Sequence, residues 1–217
     1  MAFGKGLENN TQSGDAPASD VYMKLNEGEH VIRILDEEET IYWRYWIKSL
    51  NGKQVGRSIA VASMRDPLPA YFAALGKEHP DYQSIQKRFL VNVLDRATGK
   101  VKILELGKEL LEKFAMLHER IRDRQTFEPL PITRFDVRVI ARGTGKEINR
   151  VVLPDEDQSP LSEEVSTQLK YNLKLLARPM PPEFQQRLLA GEDYGDIIKE
   201  LGWEKPVPTL PIDNTPF

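Results

Sequence analysis

The chain has 217 residues, no cysteine and a formal net charge of −3, and 40% of its residues are hydrophobic. The lack of cysteine excludes disulfides, thiol nucleophiles and cysteine-ligated zinc sites. No apolar run approaches the ~20 residues of a membrane helix, and residues 1–6 lack the start of a signal peptide, so we expect a cytoplasmic protein without a membrane partner.

Charge is distributed unevenly along the chain. Residues 1–29 carry a net charge of −3, residues 30–150 a net charge of +6 and residues 151–217 a net charge of −6. A basic middle can attract a polyanion, while acidic ends repel it or compete for the same groove.

The predicted elements begin after a flexible N-terminal arm, residues 1–21, which lacks periodic apolar positions. Extended apolar runs then predict strands, and helical spacing predicts an amphipathic helix over about residues 107–122. The predicted strands cover residues 30–35, 40–50, 55–62, 88–94, 101–106, 132–141 and 148–153. Residues 66–80 are predicted as a loop with a helical turn.

This order predicts a mainly β fold. Strands in hairpins, one helix and a closing hairpin are typical of a β-barrel of the oligonucleotide-binding (OB) type, with the helix between strands 3 and 4. We place this core at residues 22–156; a different fold of mixed sheet and helix is the alternative. An α-helical extension follows over residues 157–203, with Ser162 as a helix N-cap. Residues 204–217 are rich in proline and predicted to form a flexible acidic tail.

Residues 42–46 combine aromatic and cationic side chains more densely than any other segment. Alternate side chains of a strand point to opposite faces. The face expected to meet a ligand carries Tyr42, Arg44, Trp46 and Lys48, and the face expected to pack in the core carries Ile41, Trp43, Tyr45 and Ile47. Aromatic rings stack on bases while cations neutralise phosphates, whereas plain packing in the sheet is the alternative. Because a bulge would exchange the faces, Trp43 and Tyr45 also remain candidate nucleic-acid contacts.

Further cations lie at predicted hairpin tips and at outward strand positions, where an OB fold holds its strand. The candidate phosphate contacts are Lys53, Arg57, Arg88, Lys100, Lys102, Arg134 and Arg138. If about 4–6 cations touch phosphates, affinity should fall steeply with salt.

Catalytic signatures are missing from the sequence. The three histidines lack metal-ligand spacing, and residues 143–146 depart from a phosphate loop at Ile140 and Glu147. We therefore expect a non-catalytic protein without a metal or cofactor. A nuclease that uses the carboxylates of residues 155–157 is the enzymatic alternative.

Two segments, Arg88 to Asp95 and Gly99 to Lys108, the second leading into the predicted helix, resemble bacteriophage single-stranded-DNA-binding proteins of the OB-fold group that includes the helix-destabilising proteins. The resemblance covers about residues 25–155. It implies a protein that coats and protects single-stranded DNA with little sequence preference during phage replication, recombination and repair. The zinc site of that group is not implied, since cysteine is absent. The arm carries Lys5 against three acids, so self-association is left open.

The last residues, from Ile212 onwards, resemble the acidic tails of bacterial single-stranded-DNA-binding proteins. Such tails dock on partner enzymes, and an aromatic ring beside a carboxylate suits a pocket with a basic rim. Asp213, Pro216 and Phe217 are therefore the candidate contacts to replication or recombination enzymes. Two alternatives to DNA binding stay open: an RNA-binding OB-fold protein, and a protein-interaction adaptor that uses the aromatic patch.

Overall fold

The computed structural model describes residues 21–51, 53–123, 126–143, 147–156, 160–162, 165, 167–203 and 208–212. These residues form a mainly β structure with several helices, as predicted. The strands are β1 (Gly28–Ile34), β2 (Thr40–Leu50), β3 (Lys53–Val61), β4 (Gln86–Asp95), β5 (Lys100–Leu106), β6 (Asp136–Arg142), β7 (Asn149–Pro154), β8 (Leu169–Tyr171) and β9 (Pro208–Pro211). The helices are α1 (Pro67–Leu75), α2 (Lys108–Arg120), α3 (Leu173–Leu176), α4 (Pro182–Leu189) and α5 (Tyr194–Glu200), with a 3-10 turn at Ile132–Arg134. No helix within these ranges is long and apolar enough to cross a membrane.

One large antiparallel sheet organises the chain, in the order β3-β2-β4-β1-β6-β7, with β5 on the other side of β4. Strand β4 is shared, since its first half pairs with β2 and its last residues pair with β1. Along its opposite edge, β4 pairs with β5 through the predicted hairpin. A single strand therefore connects the β2–β3 hairpin to the rest of the sheet.

The sheet is not a closed barrel, and this corrects the prediction of closure. Among the described strands, β5 and β7 do not pair with each other. Residues 21–23 occupy the outer edge of β5 instead: the N–H of Met23 donates to the carbonyl of Ile103, and the N–H of Ile103 donates to the carbonyl of Val21, both at 2.8 Å. An edge strand that is already paired is not available to another strand.

Helix α2 packs on one face of this sheet. Its Phe114 and Leu117 are buried in a cluster with inward residues of β1, β4, β5 and β6. The helical period found in the sequence therefore reflects one apolar stripe packed on the sheet, as an amphipathic helix requires.

A second core lies around the β2–β3 hairpin, where Tyr45 stacks on Phe72 of α1 with ring centroids 4.8 Å apart. The segment predicted as a loop with a helical turn is in fact the nine-residue helix α1. Proline is favoured in a first helical turn, and the Asp66 carboxylate accepts hydrogen bonds from the N–H groups of Ala62 and Ser63 just before it.

The C-terminal region differs from its prediction in two places. Leu169–Tyr171 is a strand rather than part of a helix, because the buried Asn92 side chain donates to the Tyr171 carbonyl (3.1 Å) and accepts from the Tyr171 N–H (2.9 Å). Its partner strand is β9, and Ile212 just after β9 is buried, so residues 208–211 form a paired strand rather than an unpaired tail, with Thr209, Leu210 and Pro211 exposed. The helices predicted near 182–190 and 193–201 are confirmed as α4 and α5. Residues 1–20 of the predicted arm lie outside the described residues, and its last residue, Val21, accepts a hydrogen bond from Ile103 at the edge of β5.

Candidate nucleic-acid interface

The aromatic segment of β2 alternates regularly. Its pairing with β3 stays in register from Trp43 to Ile47 and shifts by one residue between Ile47 and Ser49. The extra residue lies in β3, where Gly56 has a φ of 60°, a left-handed conformation that glycine adopts without strain. The bulge therefore lies beyond the aromatic segment and does not exchange its faces.

The two faces of β2 are buried to different extents. Tyr45 and Ile47 are buried, as the core assignment predicts. Trp43, on the same face, is 45% exposed and Ile41 is 50% exposed, so the expectation that they are core residues is wrong. The second core does not extend to this end of β2, and the Lys87 ammonium lies 6.0 Å from the Trp43 ring centroid.

The opposite face of β2 forms the floor of a cavity of about 820 Å³, which we call the aromatic groove. The floor is completed by Ser58 and Ala60 of β3, which pair with Trp46 and Arg44. The walls come from residues 22–24 and from the region between α3 and the end of α5. Among the described residues, five aromatic side chains line the groove: Tyr22, Tyr42, Trp46, Tyr194 and Trp203.

Glu105 on β5 connects the polar side chains at one end of the groove. Its Oε2 accepts a hydrogen bond from the Tyr42 hydroxyl at 2.6 Å, and its Oε1 lies 2.8 Å from Nη2 of Arg44. The Arg88 Nε is 3.6 Å from the same Oε1. Burial, followed by the charge of Glu105 and this hydrogen bond, raises the pKa of Tyr42 well above its ordinary value. Tyr42 therefore remains a neutral donor that fixes the carboxylate against the two arginines.

Two arginines of the groove lie close to its tryptophans. The Arg44 guanidinium is 5.7 Å from the Trp46 ring centroid, and the Arg178 guanidinium is 4.3 Å from the Trp203 ring centroid. The Nε atoms of both arginines are buried without a hydrogen-bond partner in the described part of the chain. Burial also lowers the pKa of Arg178 from its ordinary value. Buried donors of this kind are rare in native proteins.

A second cavity of about 570 Å³, which we call the basic cavity, adjoins the first at the start of α2. The two cavities share Met23, Lys24 and Glu105. The lining includes two acidic side chains, Glu105 and Glu109. The cationic side chains of this lining are Lys24, Arg88, Lys108, Lys113 and Arg150.

The other predicted phosphate contacts whose side chains are described line neither cavity. Lys102 is paired with Asp95 at 2.8 Å, and both Nε and Nη2 of Arg138 donate to Asp155. Four further predicted cations lie elsewhere on the surface. Lys100 is exposed at the start of β5, Arg134 lies in the 3-10 turn, and Lys48 and Arg57 are exposed on the β2–β3 hairpin. The Lys53 side chain and the tail residues Asp213, Pro216 and Phe217 lie outside the described residues.

The structure thus brings four of the predicted contacts together, Tyr42, Arg44, Trp46 and Arg88. Sequence reasoning missed the residues that form the walls of the groove: Tyr22, Lys24, Arg178, Tyr194 and Trp203. One local signal was available: Trp203 directly follows Gly202, a helix-ending glycine just beyond α5, and so lies at the start of the next segment.

No family model, no curated protein and no solved structure matches this chain. Within the described ranges, no group of three or more histidine or carboxylate side chains could hold a metal ion. Of the carboxylates proposed for a nuclease, Asp155 accepts two hydrogen bonds from Arg138, and Asp157 lies outside the described residues.

Proposed function

We propose that this protein binds single-stranded DNA in the aromatic groove, without a catalytic step, and coats and protects it during phage replication, recombination and repair. The observation that carries the proposal is that two tryptophans from distant parts of the chain, Trp46 and Trp203, line one groove, each beside an arginine. Aromatic rings stack on any base, and guanidinium groups bind phosphate oxygens. A site built in this way binds a strand with little sequence preference.

Base stacking and phosphate contacts would both contribute to the free energy of binding single-stranded DNA. Each base that stacks on an aromatic side chain contributes about 1–3 kcal/mol. Phosphate contacts add an electrostatic contribution that falls with salt, with a slope of about −0.7 per contact for single strands. Arg44 begins with a partner, since Glu105 neutralises part of its charge, whereas Arg178 is paired with the face of a ring.

We further propose that the core is of the OB type. In this assignment its five strands are β1, β4, β5, β6 and β7, with α2 between the third and the fourth. Three features support it: β1 pairs with both β4 and β6, and β4–β5 and β6–β7 are antiparallel neighbours in chain order. The β2–β3 hairpin and α1 are then an insertion between the first two strands, and this insertion supplies the floor of the groove.

Titration with oligo(dT), followed by tryptophan emission at two salt concentrations, tests the proposal. We expect quenching on binding and an affinity that falls steeply as salt is raised. Unchanged emission, together with no binding by an independent method at low salt, would refute DNA binding and favour the adaptor.

Competition with an RNA oligomer of equal sequence separates DNA from RNA binding, because RNA alone offers a 2′-hydroxyl group. We expect the DNA oligomer to compete at least as well as the RNA oligomer. A clear preference for RNA would show that the groove serves an RNA-binding protein.

A further inference from the structure

The basic cavity is next to the aromatic groove but has a different chemistry. Its lining carries the five cations named above and none of the five aromatic side chains of the groove. Stacking therefore cannot explain it, whereas an anion would suit it.

The cations of the cavity differ in how far they are already occupied. Lys113 is bound to Glu109 and to the carbonyl of Arg150, both at 2.7 Å. Arg150 donates through Nε and Nη2 to the carbonyl of Leu25, and its Nη1 has no hydrogen-bond acceptor among the described residues. These contacts fix the positions of Lys113 and Arg150 and leave N–H groups on them that can still donate to an anion.

Lys24 and Lys108 are the exposed cations of the cavity, whereas Arg88 is half-buried, donates from Nη2 to Gln86 at 2.8 Å and lies 3.6 Å from Glu105. The Lys108 side chain is 82% exposed and lies 3.6 Å from Glu112, a surface pair that contributes little. Arg88 has a buried Nε without a hydrogen-bond partner among the described residues. Gly107 makes room for its guanidinium, because a Cβ at Gly107 would lie 2.8 Å from Nη1 of Arg88.

The two cavities meet at Lys24 and Glu105. Lys24 is exposed at this junction, and Glu105 is held by Tyr42 and Arg44. A polyanion that leaves the groove therefore passes one cation and one fixed carboxylate before it reaches Arg88 and Lys108.

We propose that the basic cavity binds the phosphodiester backbone of the same strand whose bases stack in the aromatic groove. The strand then runs from the C-terminal wall of the groove, past Lys24, to the start of α2. This proposal rests on the proposed function and extends it, since it assigns stacking to one cavity and phosphate binding to the other. Short oligomers fill the groove alone, and longer ones fill both cavities.

A length series of oligo(dT), from about 4 to about 16 nucleotides, tests the path. For Lys108→Glu we expect unchanged affinity for the shortest oligomer that binds and weaker binding of the longest one. The slope of log K against log salt should shrink by about 0.7 for the longest oligomer. Lys77→Glu is the matched control, because Lys77 is exposed and lines neither cavity; it should bind every oligomer like the wild type.

Gly107→Ala tests the same path without a change of charge. The backbone φ of Gly107 is −83°, so alanine is not strained, and its methyl group displaces the Arg88 guanidinium. We expect this variant to lose affinity for long oligomers and to keep affinity for short ones, as Lys108→Glu does.

The outcomes separate this proposal from the proposed function. If Lys108→Glu and Gly107→Ala bind every oligomer normally and the wild type is quenched, phosphate binding in the basic cavity is refuted, and DNA binding in the aromatic groove is still supported. Absence of binding by the wild type overturns both. Inorganic phosphate is the second probe, and the melting temperature of the protein is the readout. If phosphate raises the melting temperature of the wild type but not of Lys108→Glu, and both proteins bind the oligomers equally, the basic cavity binds a free anion. That result would refute the proposal that the cavity binds the DNA backbone.

Discussion

Replacement of Trp46 by alanine tests the stacking surface most directly. Trp46 is 40% exposed, lines the aromatic groove and belongs to none of the buried clusters. Its loss removes a contact with the Arg44 guanidinium worth about 0.5–1 kcal/mol at an exposed site, so the protein should remain folded. Loss of one stacked base costs about 1–3 kcal/mol, which corresponds to roughly 5- to 150-fold weaker binding of oligo(dT).

Trp43→Ala is the matched control for this experiment. Trp43 is exposed to a similar extent, 45%, but points to the other face of the same strand. We expect its replacement to change oligo(dT) affinity by less than about twofold, which corresponds to ~0.4 kcal/mol of binding free energy. Fluorescence anisotropy of a labelled oligomer measures both affinities, and circular dichroism checks the fold. If Trp43→Ala weakens binding as much as Trp46→Ala does, the assignment of the faces is wrong.

Two further predictions concern carboxylates. Glu105→Gln should lower the free energy of unfolding by about 1–3 kcal/mol, because Arg44 and Arg88 lose a charged partner. It should also strengthen oligo(dT) binding at low salt, since a charge that repels phosphate is removed; weaker binding by the folded variant would contradict this. At Asp95, burial raises the pKa, but hydrogen bonds, first from Lys102, outweigh it and hold the pKa below its ordinary value. The stability that ionised Asp95 adds is therefore present above about pH 4 and lost as the pH falls below that value. Asp95→Asn should lose less of its free energy of unfolding than the wild type between about pH 6 and about pH 3, as measured by urea unfolding. Equal losses would argue against the prediction.

Local patterns in the sequence predicted most strands and helices, but they missed α1 and placed Leu169–Tyr171 in a helix. Alternation assigned Tyr45 and Ile47 to the core, and it placed Tyr42, Arg44 and Trp46 on the other face, where the structure has them. The helical period found α2. Both patterns depend on neighbours within one element, and for this reason they can be read without the fold.

Coverage of a surface could not be predicted in the same way. Trp43 alternates like a core residue, but none of the described elements buries it, and it is 45% exposed. Lys102 and Arg138 look like outward cations, yet each meets a carboxylate, Asp95 or Asp155, that pairing of the strands brings near. Whether an apolar face is covered, or a cation is neutralised, depends on distant parts of the chain, and spacing along one strand carries no information about them.

The make-up of the aromatic groove determines which part of the chain the proposed DNA binding requires. Its floor comes from β2 and β3, but Arg178 and Trp203 come from the C-terminal region. That region is attached through specific contacts: the Asn92 side chain bonds to the backbone of Tyr171, and Lys170 pairs with Asp36 at 2.9 Å. Removal of the residues beyond 156 would therefore delete one wall of the groove and expose apolar surface on β4 and β5. A fragment limited to residues 22–156 should lose oligonucleotide affinity together with stability, because the same segment completes the groove and covers the sheet.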